Sequence, residues 1–362
     1  MGMDKNMDKL MAIRPPQVAR KLGAGSKVCL VSSAPVFKTL KDHKVIIMAC
    51  NTRIKHVIPG IMRAAQDLDA VVAFELAKSE GNLKGGYTGM DPYQFFDILM
   101  AYADQTGFTK PFFIHGDHMT TKSKAPEVVA DSRALIKAEL EAGYTSIAID
   151  ASFNEIPDNI VITLDLAREV VAAGAGLEVE VGEIKSTGYE GEITTVEEGV
   201  DFIKGLVEGG VRPQLLAINN GSKHGNYKPG EEVHIDLKRT GEIYEAIKGY
   251  GVNIAQHGIT GTPLDLVGQF ADYGIRKGNV GTNWQNIAHD CLPADLMAAM
   301  RAWCAAEGKD IKFATKQFLG DINGIPDSYK KKTEEESYKS ACDFIRAFRA
   351  AGTAATFLSN MA

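Results

Sequence analysis

The run Ile114-His115-Gly116-Asp117-His118 sets a carboxylate between two imidazoles at the end of the apolar stretch Pro111-Phe112-Phe113. Two more histidines share that setting. His224 follows Leu215-Leu216-Ala217-Ile218 within Asn219-Asn220-Gly221-Ser222-Lys223-His224-Gly225, and His257 follows Val252-Asn253-Ile254-Ala255-Gln256 and precedes Gly258. Imidazoles delivered from the ends of three separate apolar runs suit one metal ion. Three neutral nitrogens with an open fourth position form a catalytic zinc site, where the metal acts as a Lewis acid on a substrate carbonyl. Such a site also takes cobalt, manganese or iron. His43, His56, His234 and His289 fall in helical or loop patterns and are expected to be structural, and His115 is expected to support His118 from the same loop.

Carbon–carbon cleavage beside a hydroxyl needs one group to take the hydroxyl proton and another to manage the proton on the enolate carbon. Asp117 suits the first role. The second is sought in Ser186-Thr187-Gly188-Tyr189-Glu190-Gly191-Glu192, whose glycines would let it close over a substrate, and Glu190 and Glu192 are equivalent candidates there. A Schiff-base mechanism would instead use a desolvated lysine, for which Lys277 is the candidate. Phosphate handling is expected from Gly221-Ser222-Lys223-His224-Gly225, His257-Gly258-Ile259-Thr260-Gly261-Thr262 and Gly278-Asn279-Val280-Gly281-Thr282. Each combines glycine, which lets backbone amides approach an anion, with hydroxyl side chains that donate to it. Gly225, Gly258, Thr260, Asn279 and Thr282 are therefore candidate substrate contacts, together with Asn51 and Ser79 at the ends of the first two apolar runs.

Placing all of these in one site requires strands whose ends converge. Eight β-rich apolar runs recur: Val45 to Cys50, Ala70 to Leu76, Phe112 to His115, Ser146 to Asp150, Leu177 to Val181, Leu215 to Asn219, Val252 to His257 and Gly274 to Val280. Helical patterns lie between them, at Pro92 to Thr106, Ala125 to Ala142, Asp158 to Ala173, Thr195 to Val207, Asp236 to Lys248 and Pro263 to Tyr273. Alternation of this kind builds a parallel sheet, and a count of eight predicts a closed (β/α)8 TIM barrel with its chemistry at the carboxyl ends of the strands. Residues 1–362 read as one domain, with a helical prelude over 1–43 and a helical C-terminal extension over 283–362 that packs on the barrel flank or on another subunit. The apolar face of that extension suggests a homodimer or homotetramer.

Composition narrows the function classes. With 362 residues, 45% hydrophobic and 24% charged, the chain reads as globular. A net charge of −6 and no basic run longer than Lys330–Lys332 argue against a nucleic-acid partner. Five cysteines without a Cys-x-x-Cys pair suit reduced thiols, so a metal would be held by His and carboxylate. No segment approaches the ~20 apolar residues of a membrane span, and Met1-Gly2-Met3-Asp4-Lys5-Asn6 does not read as a signal peptide. A cytoplasmic location without a membrane partner is expected.

Together these segments resemble the class II, metal-dependent ketose-bisphosphate aldolases, the family of fructose-1,6-bisphosphate and tagatose-1,6-bisphosphate aldolases. His115-Gly116-Asp117-His118 is similar to the family's His-x-Asp-His, Ile149-Asp150-Ala151-Ser152 to Ile-Asp-(Gly/Ala)-Ser, and Glu178-Val179-Glu180-Val181-Gly182 to Glu-x-Glu-Leu-Gly. Ser222-Lys223-His224-Gly225-Asn226-Tyr227 resembles (Thr/Asn)-x-His-Gly-x-Tyr, and His257-Gly258-Ile259-Thr260-Gly261 resembles His-Gly-Gly-Ser-Gly. The resemblance implies zinc on His118, His224 and His257, with Glu180 able to approach it, Asp117 as acid/base, and a monovalent cation as an open further requirement. Fructose 1,6-bisphosphate cleaved to dihydroxyacetone phosphate and an aldehyde is the expected reaction. Another ketose phosphate, or sugar-phosphate binding without turnover, is the alternative. Three departures bear on the substrate: Gly281 stands where the family has an Asp that contacts the aldehyde half, Ile259-Thr260 replaces Gly-Ser, and Asn51-Thr52-Arg53 replaces an Asn-rich tripeptide.

Overall fold

A strand buried on both faces must be apolar on one and fill a barrel interior with the other, and the eight runs do this in the computed structural model, which describes residues 9, 11–23, 25–182, 193–223, 225–226 and 233–361. The strands are β1 (Ile47–Asn51), β2 (Val72–Ala77), β3 (Phe112–Thr120), β4 (Ser146–Asp150), β5 (Gly176–Val181), β6 (Leu215–Ile218), β7 (Asn253–Gln256) and β8 (Ile275–Val280). They pair in sequence order, all parallel, and β8 closes on β1 with Ala49 opposite Asn279. Met48, Cys50, Val72, Phe74, Phe112 and Ile114 face outward into the helical layer. The alternate positions Ile47, Ala49, Val71, Ala73, Phe113, Leu215, Ala217 and Ala255 face inward and form a separate small core. Successive strand residues point to opposite faces, so the same register that buries these residues aims Asn51, Asp117, Glu180 and Asn279 at the carboxyl ends.

Several helix boundaries coincide with their chemical signals. Pro92–Thr106 is entered through a capping box of Asp91 and Gln94 and left through Gly107 in the left-handed region, at φ 64°. Thr195 and Asp236, expected as first helical residues, are the N-caps of Val196–Glu208 and Leu237–Ile247. The expected helix from Pro263 to Tyr273 is broken into Leu264–Val267 and a 3-10 turn at Phe270–Tyr273. Arg349 crosses there: it donates to the carbonyl of Gly268 at 2.6 Å and holds Asp272 at 2.8 Å.

The prelude and the extension both have barrel-specific work. Helix Ser33–Leu40 plugs the amino-terminal mouth, with Phe37 edge-on to Phe113 at 5.6 Å and Ser33 Oγ bonded to Ser146 Oγ at 2.7 Å. Helix Asp327–Ala347 lies across helix Ile58–Asp67, the crossover from β1 to β2. The apolar face of the extension is thus covered within the chain and does not by itself call for a second subunit. Gly60 permits the crossing, because a Cβ there would overlap the carbonyl of Glu334 and the hydroxyl of Ser337. Replacing Gly60 by Ala should lower unfolding free energy by about 1–3 kcal/mol through overpacking, read as an earlier urea midpoint at unchanged slope. An unchanged midpoint would mean the helices part at no cost.

Candidate active site

Strand alternation alone would send Asp117 and His118 to opposite faces of β3. They reach the same cleft because the strand bulges: Gly116 pairs with Ile147 and Met119 with Ile149, so one extra residue is accommodated between them, and His118 has φ 42°. A non-glycine residue in that left-handed region carries strain of about 1–3 kcal/mol, held by the surrounding register. Gly116 is required next to the bulge, since a Cβ there would strike the Glu139 carboxyl of the following helix. The expectation that these residues lie in a loop after a strand ending at His115 is corrected. β3 runs to Thr120, and His115 is an inward residue of the barrel interior rather than a neighbour of His118 in a loop.

The bulge turns His118 Nε2 toward His257 Nδ1, 2.7 Å away, with the rings edge to face. Each outer nitrogen meets a carboxylate. His118 Nδ1 lies 3.1 Å from Glu180 Oε2 and 3.5 Å from Asp150 Oδ2, and His257 Nε2 lies 2.8 Å from Glu178 Oε1. If each imidazole donates its N–H to the carboxylate behind it, the two facing nitrogens are both acceptors, an arrangement that requires positive charge between or beside them. The surroundings point the same way. Burial would lower the pKa of His118, but Glu180 and Asp117 outweigh it and hold it well above the ordinary range. Burial and the Asp150 charge raise that of Glu180. Imidazoles backed by carboxylates form a donor set that orients metal ligands, and the atoms of Asp117, His118 and His257 lie within 4.8 Å of one another. The residues present fit a metal ion.

Asp117 sits beside the two imidazoles with both oxygens fixed. Asn51 Nδ2 donates to Oδ2 and Asn279 Nδ2 to Oδ1, each at 3.0 Å. Burial would raise its pKa, yet His118 and Lys277 beside it hold it below the usual carboxylate range. Its carboxylate is thus favoured in the ionised form and fixed in orientation. Asn51 and Asn279, expected as substrate contacts, have this holding role first, and Asn279 keeps a buried oxygen with no hydrogen-bond partner among the described residues.

Below the cleft an ionic layer crosses the barrel. Lys277 Nζ lies 2.9 Å from Glu178 and 3.2 Å from Glu75, all three fully buried. Burial would lower the ammonium's pKa, but the two carboxylates hold it above its ordinary value. Glu178 is correspondingly kept ionised, and burial drives Glu75 up toward its neutral acid and His115 down to about 3. A buried Lys277 held between two carboxylates is favoured as the ammonium, a poor amine nucleophile, which argues against the Schiff-base candidate.

The cleft above has a volume of about 840 Å³ and is lined by Asn51, Ser79, Asp117, His118, Glu180, Gly225, Gly258, Thr260, Asn279 and Thr282, ten of the predicted site residues. His257 is buried directly behind it. His224, Glu190 and Glu192 lie outside the described residues. Gly258, at φ 68°, lets Lys223 pack against it where a Cβ would overlap the Lys223 backbone. Thr260 Oγ1 accepts from Asn283 N at 3.1 Å. Glu178, Tyr87 and Lys312 were not among the predicted site residues, and Arg53 was noted only as a departure. Glu178 holds His257 and was discoverable as the same-face neighbour of Glu180 two residues on. Arg53, Tyr87 and Lys312 also line the cleft, but Lys312 arrives from the C-terminal extension and no local pattern announces it.

The model of the family described as fructose-bisphosphate aldolase class-II matches residues 31–353. A fructose-bisphosphate aldolase of Streptococcus pneumoniae is 25% identical over 329 residues, 89% of this chain and 95% of that protein. One from Streptococcus pyogenes is 26% identical over 262 residues, 71% of this chain and 80% of that one. The crystal structure of a fructose-bisphosphate aldolase from Campylobacter jejuni superposes with a TM-score of 0.65 at 18% identity, covering 88% of this chain and 94% of that one. An aldolase from Escherichia coli K12 gives 0.63 at 15%, covering 90% and 100%. At these identities the solved structures speak for the barrel alone.

The ionic layer makes a direct prediction. Lys277→Met leaves Glu178 buried without its cation and should cost about 3–5 kcal/mol of stability, measured by urea unfolding of the purified chain. A loss below the error of the fit would show that the layer does not support the barrel.

Proposed function

This chain belongs to the class-II fructose-bisphosphate aldolase family, and we propose that within it the protein is a zinc-dependent lyase that reversibly splits a ketose phosphate, in the first instance fructose 1,6-bisphosphate, into dihydroxyacetone phosphate and an aldehyde. An aldolase lyase acting on sugar phosphates is what the family match supports on its own. The observation that carries the finer reading is the facing pair His118 Nε2 and His257 Nδ1, each backed by a carboxylate, with ionised Asp117 alongside.

His118 and His257 would hold the metal with His224 as third ligand and Glu180 within approach. Lys223 packed on Gly258 and Gly225 in the cleft wall support His224 in that role. When bound, the metal polarises the substrate carbonyl and stabilises the charge that develops on its oxygen. Asp117, fixed by Asn51 and Asn279, accepts the proton of the hydroxyl next to the bond that breaks and returns it in condensation. Glu190 or Glu192 is proposed to handle the proton on the carbon of the dihydroxyacetone phosphate half. The phosphate of that half is assigned to Gly225, Gly258, Thr260 and Thr282, where glycine backbone and hydroxyls line the cleft. Ser79, exposed at the rim after β2, is assigned to the substrate's outer end. A cytoplasmic homo-oligomer is proposed as its working form; no helix among the described residues is long and apolar enough to cross a membrane.

The test is dihydroxyacetone phosphate release from fructose 1,6-bisphosphate and other ketose phosphates, on zinc-loaded and chelator-stripped protein. Zinc-dependent release is expected, with chelation abolishing it and zinc restoring it. Activity that survives complete metal removal sinks the reading. Asp117→Ala should lower kcat by roughly 10²- to 10⁴-fold while metal content stays at the wild-type level. Glu178→Gln should weaken metal affinity by about 10- to 100-fold through the freed His257 ring, seen by competition with a zinc indicator. Equal metal affinity in that variant would deny Glu178 its orienting role.

A further inference from the structure

Arg53 leaves β1 two residues after Asn51 and returns over the cleft, with its side chain only 14% exposed. Its guanidinium is built in. Nε donates to Glu80 Oε1 at 2.6 Å, Nη1 donates to Gln285 Oε1 at 2.8 Å, and the plane lies 5.9 Å from the Tyr87 ring centroid. Glu80 is itself held by Tyr87 OH at 3.1 Å and the Ala77 amide at 3.0 Å. Nη2 is the guanidinium nitrogen with no hydrogen bond among the described residues, and it faces Gly281. A Cβ at Gly281 would lie 3.0 Å from Nη2 and 3.1 Å from Asn51 Oδ1. Gly281 has φ −115°, which any residue adopts, so its lack of a side chain serves space and not backbone conformation.

The position relative to Asp117 decides which half of the substrate Arg53 meets. Asn51 bridges the two, donating to Asp117 at 3.0 Å and to Glu80 at 3.2 Å. Asp117 acts on the hydroxyl of the aldehyde half in the proposed reaction, and Arg53 is joined to it through Glu80 and Asn51 at the β1–β2 side of the cleft. Three further cations line the cleft: Lys78, which pairs with Asp131 at 2.8 Å, and Lys122 over the Phe153 ring at 4.8 Å and Lys312 at 5.8 Å from the Tyr87 centroid, the last two without an ion pair among the described residues.

We propose that Arg53, braced by Glu80 and Gln285 and given room by Gly281, is the specificity-determining residue for the aldehyde half, and that it reads an oxyanion there, a carboxylate or a phosphate. Guanidinium is donor-only, so the group it accepts must offer acceptor oxygens, and a fixed guanidinium edge matches an oxyanion better than a lone hydroxyl. The inference rests on the aldolase reading above.

The experiment is condensation of dihydroxyacetone phosphate with four aldehydes on the zinc-loaded full chain: glyceraldehyde 3-phosphate, succinic semialdehyde, glyceraldehyde and glycolaldehyde. Wild type, Arg53→Lys and Gly281→Ala are compared, with exchange of the dihydroxyacetone phosphate carbon-bound proton measured alongside. Wild type should prefer at least one anionic aldehyde over the neutral pair. Arg53→Lys should lower the ratio of anionic to neutral kcat/KM by roughly ten- to a hundredfold, chiefly through KM for the anionic aldehyde. Gly281→Ala, which displaces the guanidinium without removing it, should lower the ratio by a smaller factor. The relative rates on the two anionic aldehydes tell phosphate from carboxylate. A ratio unchanged in both variants, or a wild type that prefers neutral aldehydes, overturns the proposal while proton exchange still upholds the aldolase reading. Absence of both exchange and condensation overturns that reading and this inference with it.

Discussion

An ammonium sealed inside a barrel must be met by a carboxylate, because the interior has no water to solvate it and the penalty for a lone buried charge is several kcal/mol. In this chain Lys277 is met by Glu178 at 2.9 Å, and that carboxylate also bonds His257 Nε2 at 2.8 Å. The group that stabilises the barrel's interior charge is thus the group that aims the His257 imidazole. Packing of the barrel and geometry of the site cannot vary independently, since any shift of β8 against β5 moves the imidazole as well.

The cleft is built by a second constraint, the bulge in β3. A regular strand can offer one chemical residue in two to a barrel mouth. The extra residue at Asp117–His118, with the left-handed backbone of His118, offers two in succession, so a carboxylate and an imidazole stand side by side. The strain is local, and the flanking pairs of β3 with β2 and β4 confine it. Gly116 and the buried Glu139 show how closely the following helix is fitted to that deformation.

Segments remote in sequence finish the structure. The prelude closes the floor of the barrel through Ser33–Leu40, and the extension clamps the first crossover helix at Gly60 before Arg349 interrupts the helix that precedes β8. The same extension delivers Lys312 to the cleft wall. On the β1–β2 side, Arg53, Glu80 and Gly281 form one fitted unit assembled from three strand ends, which makes the departures at positions 53 and 281 a single structural event.

Much of this was legible along the chain. Eight apolar runs separated by helical patterns determine a parallel barrel, because period and spacing are local properties and each run carries its own. The convergence of Asn51, Asp117, Glu180, His257 and Asn279 follows from the barrel, since strand ends meet there, whereas His118 joins them only through the bulge. The chain could not reveal that β3 continues past His115 with a bulge, which imidazole Glu178 holds, that Lys277 is locked between carboxylates, or that the extension covers its own apolar face. Each depends on register or on contact between residues tens to hundreds of positions apart, and such distances are decided only when the strands close and the helices pack. Sequence set the residue types and their order; tertiary structure decided which nitrogen faces which oxygen.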